Sequence, residues 1–297
     1  MTLIRPVSLA SKAWRHDAVE LTQGPELNIF RVQVVSRRLK MIRAFWCTNH
    51  NFGDNLNHYL LSRIAKGGVV FTNIDEPHRK IVAIGSILGW CNETTIAWGP
   101  GLFSRTDCVN PAVDIRAVRG PLSYKRACEC GLKAPEIYGD PALLLPRVYR
   151  PPAVSKKYAL GIVPHYIDQT FVMPRYAEAS TEVRLIDILD TPEHVIDAIV
   201  NCERIVSSSL HAIIAAHAYG VPAAWVQFSE GKIVGDGLKY HDYFASVGCE
   251  VAGPVEGRDL PDPGELANRA SRHFSLEPRI DIGPLLAACP FELSASL

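Results

Sequence analysis

The sequence predicts an α/β protein built as two Rossmann-like domains, each a parallel sheet covered by helices, facing each other across a cleft. Three observations carry this. From Met41 onward, short apolar runs of strand length alternate with segments of helical spacing. Turn-forming residues separate them, as at residues 51–55 and 99–101. A stretch over residues 147–157, with Pro146, Pro151 and Pro152, interrupts the pattern before it restarts and reads as an extended linker.

In the first half, residues 42–47 read as a strand, 51–55 as a turn and 56–64 as a helix. Residues 69–71, 81–84 and 95–98 are further strands, and Gly85 and Gly99-Pro100-Gly101 mark the loops after the last two. A strand over 115–118 leads into a helix over 121–130 with Pro121 in its first turn, and Tyr138-Gly139-Asp140-Pro141 closes this half. In the second half, residues 158–163 form a strand ending in Pro164-His165, and 183–186 form the next. Thr191 caps a helix with Pro192 at its first position and Val195, Ile196 and Ile199 on its apolar face. A strand over 204–206, a turn of three serines and a helix over 210–219 stopped by Gly220 follow. Residues 222–226 are a strand, 238–247 a helix, and the tail is expected to form two short helices. The expected division is an arm over 1–40, domains over 41–150 and 151–255, and a tail over 256–297 packing back on the first domain.

The balance of 47% hydrophobic and 21% charged residues in 297 suits a globular chain with a sizeable core. Lys plus Arg and Asp plus Glu number 31 each, so the basic surplus of a nucleic-acid binder is absent. An anionic ligand must be held by a few local cations and helix ends. The most apolar stretch, residues 212–226, is broken by His217, Gly220 and Pro222 and is too short to span a bilayer. The eight cysteines are scattered, and Cys128-Glu129-Cys130 is not a zinc or redox spacing, so reduced thiols in a cytoplasmic protein are expected. Residues 1–40 lack a sustained apolar face and a signal-peptide core. They read as a solvated, loosely ordered arm. Arg31, Arg37, Arg38 and Lys40 also suit peripheral contact with anionic headgroups at the inner face of a membrane.

Ligands of such sheets bind beyond the carboxyl ends of strands, and four constellations stand there. In Asn51-Phe52-Gly53-Asp54-Asn55, Gly53 allows a close turn, the helix start offers free amides, and Asp54 is either a hydroxyl-activating base or a helix cap. Arg119 ends a strand before a Pro-initiated helix, where a guanidinium grips a carboxylate or phosphate, or else forms an ordinary ion pair. Ser207-Ser208-Ser209-Leu210-His211 joins a strand to a helix, with hydroxyls for capping or phosphate binding and an imidazole able to move a proton. Lys232, between Gly231 and Gly235, is a cation on a mobile loop or a plain solvated lysine. His165 is placed to line the cleft, Asp140 reads as support for its turn, and His217 as packing or surface. No metal-ligand spacing, Gly-x-Gly-x-x-Gly or Walker loop is present.

Taken in order, Asn51-Phe52-Gly53-Asp54-Asn55, Val118-Arg119-Gly120-Pro121-Leu122-Ser123, Gly139-Asp140-Pro141-Ala142, Ser209-Leu210-His211-Ala212 and the late Lys232 resemble the polysaccharide pyruvyl transferase family over roughly residues 41–248. The resemblance implies a GT-B-like fold and transfer of a pyruvyl group from phosphoenolpyruvate to a sugar, as a cyclic ketal on a surface polysaccharide or its lipid-linked precursor. It implies donor contacts from Arg119, His211 and Lys232, with Ser209 and Leu210 beside them, and Asp54 near the acceptor. Asn51, Gly53, Asn55 and His165 would line the cleft. Many relatives carry Arg where this chain has Ser209, which removes one donor-binding cation. Phosphoenolpyruvate is a co-substrate, and no cofactor or metal is expected. The competing expectations are a glycosyltransferase using a nucleotide sugar on the same fold, and a carbohydrate-binding protein with a decayed site.

Overall fold

The computed structural model describes residues 18–22, 31–35, 41–49, 51–152, 155–178, 181–231, 233, 235–274 and 279–295. The chain divides into two compact units, Met1–Lys40 and Met41–Leu297. In the first, β1 (Ala18–Thr22) pairs antiparallel with β2 (Arg31–Val35), Glu20 opposite Gln33. The sequence reading placed no element there.

The second unit holds two five-stranded sheets in which every described pairing is parallel. Strands β3 (Ile42–Phe45), β4 (Val69–Phe71), β5 (Lys80–Val82), β6 (Thr95–Trp98) and β7 (Asp114–Ala117) form one sheet in the order β4-β3-β5-β6-β7. Strands β8 (Leu160–Val163), β9 (Val183–Leu185), β10 (Ile205–Ser207), β11 (Ala223–Gln227) and β12 (Val255–Glu256) form the other, in the order β12-β11-β10-β8-β9. Central β5, β8 and β10 are buried along their whole length, the state of a parallel strand covered on both faces.

The helices start where the sequence signals them. Asn51 caps α1 (Phe52–Ile64), its side chain accepting from the Asp54 N–H. Pro121 opens α2 (Pro121–Glu129), and the short α3 (Leu145–Val148) follows a 3-10 turn capped by Asp140. Thr191 caps α5 (Pro192–Val200) by accepting from His194 N–H. Helices α6 (Leu210–Ala218), α7 (Leu238–Ser246), α8 (Pro263–Ala270) and α9 (Gly283–Ala287) follow. The sequence reading did not anticipate α4 (Gln169–Tyr176) or β12. The first carries Pro174 inside it and has little amphipathic pattern, and the second is two residues long.

The largest core cluster runs from Leu56, Leu60 and Ile64 on α1, through Leu144 and Leu145, to Ile196, Ile213 and Phe244. Apolar helix faces therefore meet between the two sheets and position the strand ends that carry the candidate site. Beyond α8 the chain reaches the first sheet. Trp98 Nε1 donates to Leu285 O at 2.8 Å, and Leu293 bridges to Ala65 just after α1. Among the described residues no helix is long and apolar enough to cross a membrane.

Candidate active site

A cavity of about 190 Å³ opens at the carboxyl ends of strands from both sheets. Cys47 and Asn49 follow β3, Gly85 and Ser86 follow β5, Phe103 follows β6, His165 follows β8, and Ser209, Leu210 and His211 follow β10. Asn51 and Asp54 from the start of α1, Trp90, Ile233 and Lys239 complete the wall used below.

Asp54 sits in the first turn of α1, part-buried. Asn51 both accepts from Asp54 N–H at 3.2 Å and donates through Nδ2 to Asp54 Oδ2 at 2.7 Å. Asn51 is therefore the cap, and Asp54 is tied to it while still lining the cavity. Burial raises the Asp54 carboxyl to about 6, against the lowering pull of Asn51 and Asn49. Asn55 lies in the same turn outside the cavity lining. Gly53 is buried against His211: a Cβ there would lie far inside van der Waals contact with His211 Nδ1. Only glycine lets α1 approach the first turn of α6 this closely.

His211 carries the most perturbed environment in the wall. Its side chain is 17% exposed, and Nε2 has no hydrogen-bond partner. Asp140 Oδ2, on a fully buried side chain and equally unpartnered, lies 3.9 Å from it. That is too long for a hydrogen bond, but a small closure would satisfy both atoms with one proton. Burial first, then Arg119, Lys239 and His165, push His211 down to about 3. Burial pushes Asp140 up to about 7, opposed by the Ala142 N–H and Arg119 and helped by Asp242. The ring is therefore neutral at pH 7, and Asp140 beside it is poised between its protonated and charged forms. Asp140 has two jobs: Oδ1 accepts from Ala142 N–H to cap its turn, and Oδ2 faces the histidine.

Ser209 starts α6 without a side-chain cap, so the first-turn amides beside the cavity are open to an anion. Ser207 Oγ instead accepts from Ser209 N–H and donates to Val163 O. Ser208 donates to the fully buried Asp168 at 2.6 Å, as does Ser229, and this carboxylate ties β10 to the loop after β11. His165 Nδ1 accepts from Ile167 N–H at 3.3 Å, which leaves Nε2 as the protonated nitrogen. Burial and Lys239 lower His165 to about 4.

Of the two cations named from sequence, one can be placed, and it does not line the cavity. Arg119 is fully buried behind it. Its Nε donates to Asp242 at 3.1 Å, Nη1 to Ser86 Oγ at 2.8 Å and Nη2 to Leu102 O at 2.8 Å. Asp242, on α7, also accepts from Leu122 N–H and Ser123 N–H at 2.9 Å and so caps α2 from another helix. The guanidinium is committed to structure. Lys232 lies outside the described residues.

Among the described residues the lysine lining the cavity is Lys239, in the first turn of α7, which the sequence reading did not single out. It is 9% exposed, its ammonium lies 5.2 Å from the rings of Phe103 and Tyr240, and no carboxylate pairs with it among the described residues. Burial and Arg119 lower it to about 8. The available signal was two charges, Lys239 and Asp242, three apart in a helix that otherwise reads Leu238, Tyr240, Tyr243, Phe244. Charges so placed are buried only for a reason. His217, by contrast, packs on Tyr243 with Nδ1 2.9 Å from its hydroxyl.

Fold and cavity together define a parallel α/β protein with a small cavity beyond the strand ends. A family model described as polysaccharide pyruvyl transferase matches residues 51–229, and the chain belongs to that family. It is 31% identical over 227 residues to the uncharacterized protein L143 of Acanthamoeba polyphaga mimivirus, covering 72% of this chain and 77% of that one. It is 29% identical over 214 residues to the succinoglycan biosynthesis protein ExoV of Rhizobium meliloti (strain 1021), covering 69% of this chain and 64% of ExoV.

Proposed function

We propose that the chain transfers the pyruvyl group of phosphoenolpyruvate to a saccharide of a surface polysaccharide or its lipid-linked precursor, as a cyclic ketal, using the cavity between two sheets in a GT-B-like arrangement. The observation that carries this is the convergence on one cavity of an uncapped helix start, Ser209, Asp54 and Lys239, which has no carboxylate partner among the described residues. Such a wall suits a small molecule with two anionic groups. ExoV, by its name a succinoglycan biosynthesis protein, supports an acceptor of the exopolysaccharide kind.

In this reading the α6 amides and Ser209 take one anionic group and Lys239 the other. Lys239 thus supplies a cation that Ser209 does not. Arg119 acts through position: it holds Ser86, Leu102 and α7 in place and adds positive potential from behind. An acceptor hydroxyl attacks the enol carbon while the methylene carbon gains a proton and becomes methyl. The carbon–oxygen bond to phosphate breaks, and phosphate leaves with that electron pair. The second hydroxyl then closes the ketal. Of the two hydroxyl protons, one balances the new methyl hydrogen and the other leaves with phosphate. Asp54 receives the proton of the attacking hydroxyl. His211 is neutral until the donor binds. The donor's negative charge then favours movement of the Asp140 proton onto the ring and on to the methylene carbon. No step calls for a metal or redox cofactor.

The test is phosphate release from phosphoenolpyruvate across a panel of lipid-linked oligosaccharides, with the shift in melting temperature read for phosphoenolpyruvate and for UDP-sugars. Stabilisation by a UDP-sugar alone points to a glycosyltransferase. Saccharide binding without phosphate release points to a non-catalytic binder.

A further inference from the structure

Beside the cavity mouth stands a run of aromatic side chains that the reaction chemistry above does not use. Trp90, which lines the cavity, is 56% exposed, and its ring centroid lies 6.4 Å from that of Phe45. Phe45 meets Phe71 at 6.2 Å, Phe71 meets Trp46 edge-on at 5.1 Å, and Trp46 meets the exposed His58 at 5.9 Å. Phe71 is 43% exposed and its neighbour Val70 41%, on the edge strand β4. The rings thus lead from the cavity across the carboxyl ends of β3 and β4, in steps comparable to one sugar residue.

We propose that this shelf binds the acceptor saccharide and feeds its terminal sugar to the cavity. The inference rests on the pyruvyl-transfer reading for what happens in the cavity, but not for the binding itself. Trp90 and Phe71 are exposed on either side of the buried Phe45 ring, and exposed apolar surface beside a cavity marks a binding surface. A pyranose fits one with aromatic rings, since its C–H face packs on the ring while its hydroxyls stay wet. The surroundings favour a neutral polar chain over an anionic membrane. Asp75, Glu76 and Glu93 lie close enough together to act jointly on Lys80. Asn92 Nδ2, donating to Ile74 O at 2.9 Å, ties their two loops together beside Trp90. Carboxylates at this edge repel anionic headgroups. Continuity with the cavity through Trp90 favours the acceptor over a second copy of the chain.

The experiment uses the full chain and titrates neutral gluco- and galacto-oligosaccharides, from disaccharide to hexasaccharide, by tryptophan fluorescence and calorimetry. The wild type is expected to bind at least one series, more tightly as the chain lengthens. Phe71→Ser and Trp90→Ala should each weaken that binding about tenfold, with the far-UV spectrum retained. Phosphoenolpyruvate should shift the melting temperature of Phe71→Ser as it shifts the wild type. Saccharide binding unchanged in both variants overturns the proposal, as does a wild type that binds no saccharide of either series. Loss of phosphatidylserine-vesicle binding, or of an oligomer, in place of saccharide binding also overturns it. Failure of the pyruvyl reading shows separately: phosphoenolpyruvate then shifts nothing, while the ring variants still lose saccharide.

Discussion

Replacing Lys239 with methionine should make the protein more stable and its donor binding weaker, and the two effects have one cause. The ammonium is nearly buried, without a carboxylate partner among the described residues, and beside the Arg119 guanidinium. A fall from 10.5 to about 8 means that the folded state disfavours the charged form. At 1.36 kcal/mol per pH unit, that is on the order of 3 kcal/mol. The sign follows from linkage. The cost is complete below pH 8, where both folded and unfolded lysines carry the proton. It is relieved between about 8 and 10.5, where the unfolded chain binds more protons. Wild-type stability should therefore gain with pH across that window from this group, and Lys239→Met should lack the gain. Methionine keeps most of the stem's volume, so at pH 7 the variant should melt several degrees higher. The lost charge-assisted contact, worth about 1.5–3 kcal/mol, should weaken phosphoenolpyruvate roughly ten- to a hundredfold. Differential scanning fluorimetry and donor calorimetry read both. A variant that melts lower and binds phosphoenolpyruvate as tightly as the wild type refutes the assignment of Lys239 as a donor cation.

Four further outcomes follow from the same geometry. Arg119→Met should destabilise by about 3–5 kcal/mol by chemical denaturation, because it strands the buried Asp242 carboxylate; replacing both partners with apolar residues should cost less than either single change. Gly53→Ala places a methyl group against His211 Nδ1, so single-turnover rates should collapse while secondary structure persists; full activity in that variant would show that α1 and α6 need not pack this closely. His211→Ala should lower kcat by about 10²–10⁴-fold with donor affinity nearly retained. Asp140→Asn should abolish the kcat dependence on a group near pH 7 and should also remove a stability loss. A carboxyl raised to about 7 costs the folded state more as pH climbs from the ordinary 3.8 through 7, and the amide has no such titration.

The local grammar of the chain was legible through most of its second unit, α4 and β12 excepted. Apolar runs of strand length placed β3 to β11 within one to three residues, and Thr191-Pro192, Pro121 and Gly220 marked helix ends where the structure has them. These signals work because strand burial, capping and proline geometry are decided by neighbours in sequence. The same logic brought Asp54, His165, Ser209 and His211 to strand ends, where the cavity collects them. What sequence alone could not decide was the partner of each charge. Arg119 and Asp242 are 123 residues apart, and their pairing withdraws the guanidinium from the cavity that its position after β7 suggested. Lys239 and Asp242 are neighbours on one helix, yet Asp242 meets Arg119 while Lys239 lines the cavity with no carboxylate paired to it among the described residues. Whether a charge is neutralised or left free depends on which helices pack together, because Coulomb energy and desolvation act through space. Only the tertiary structure sets those distances.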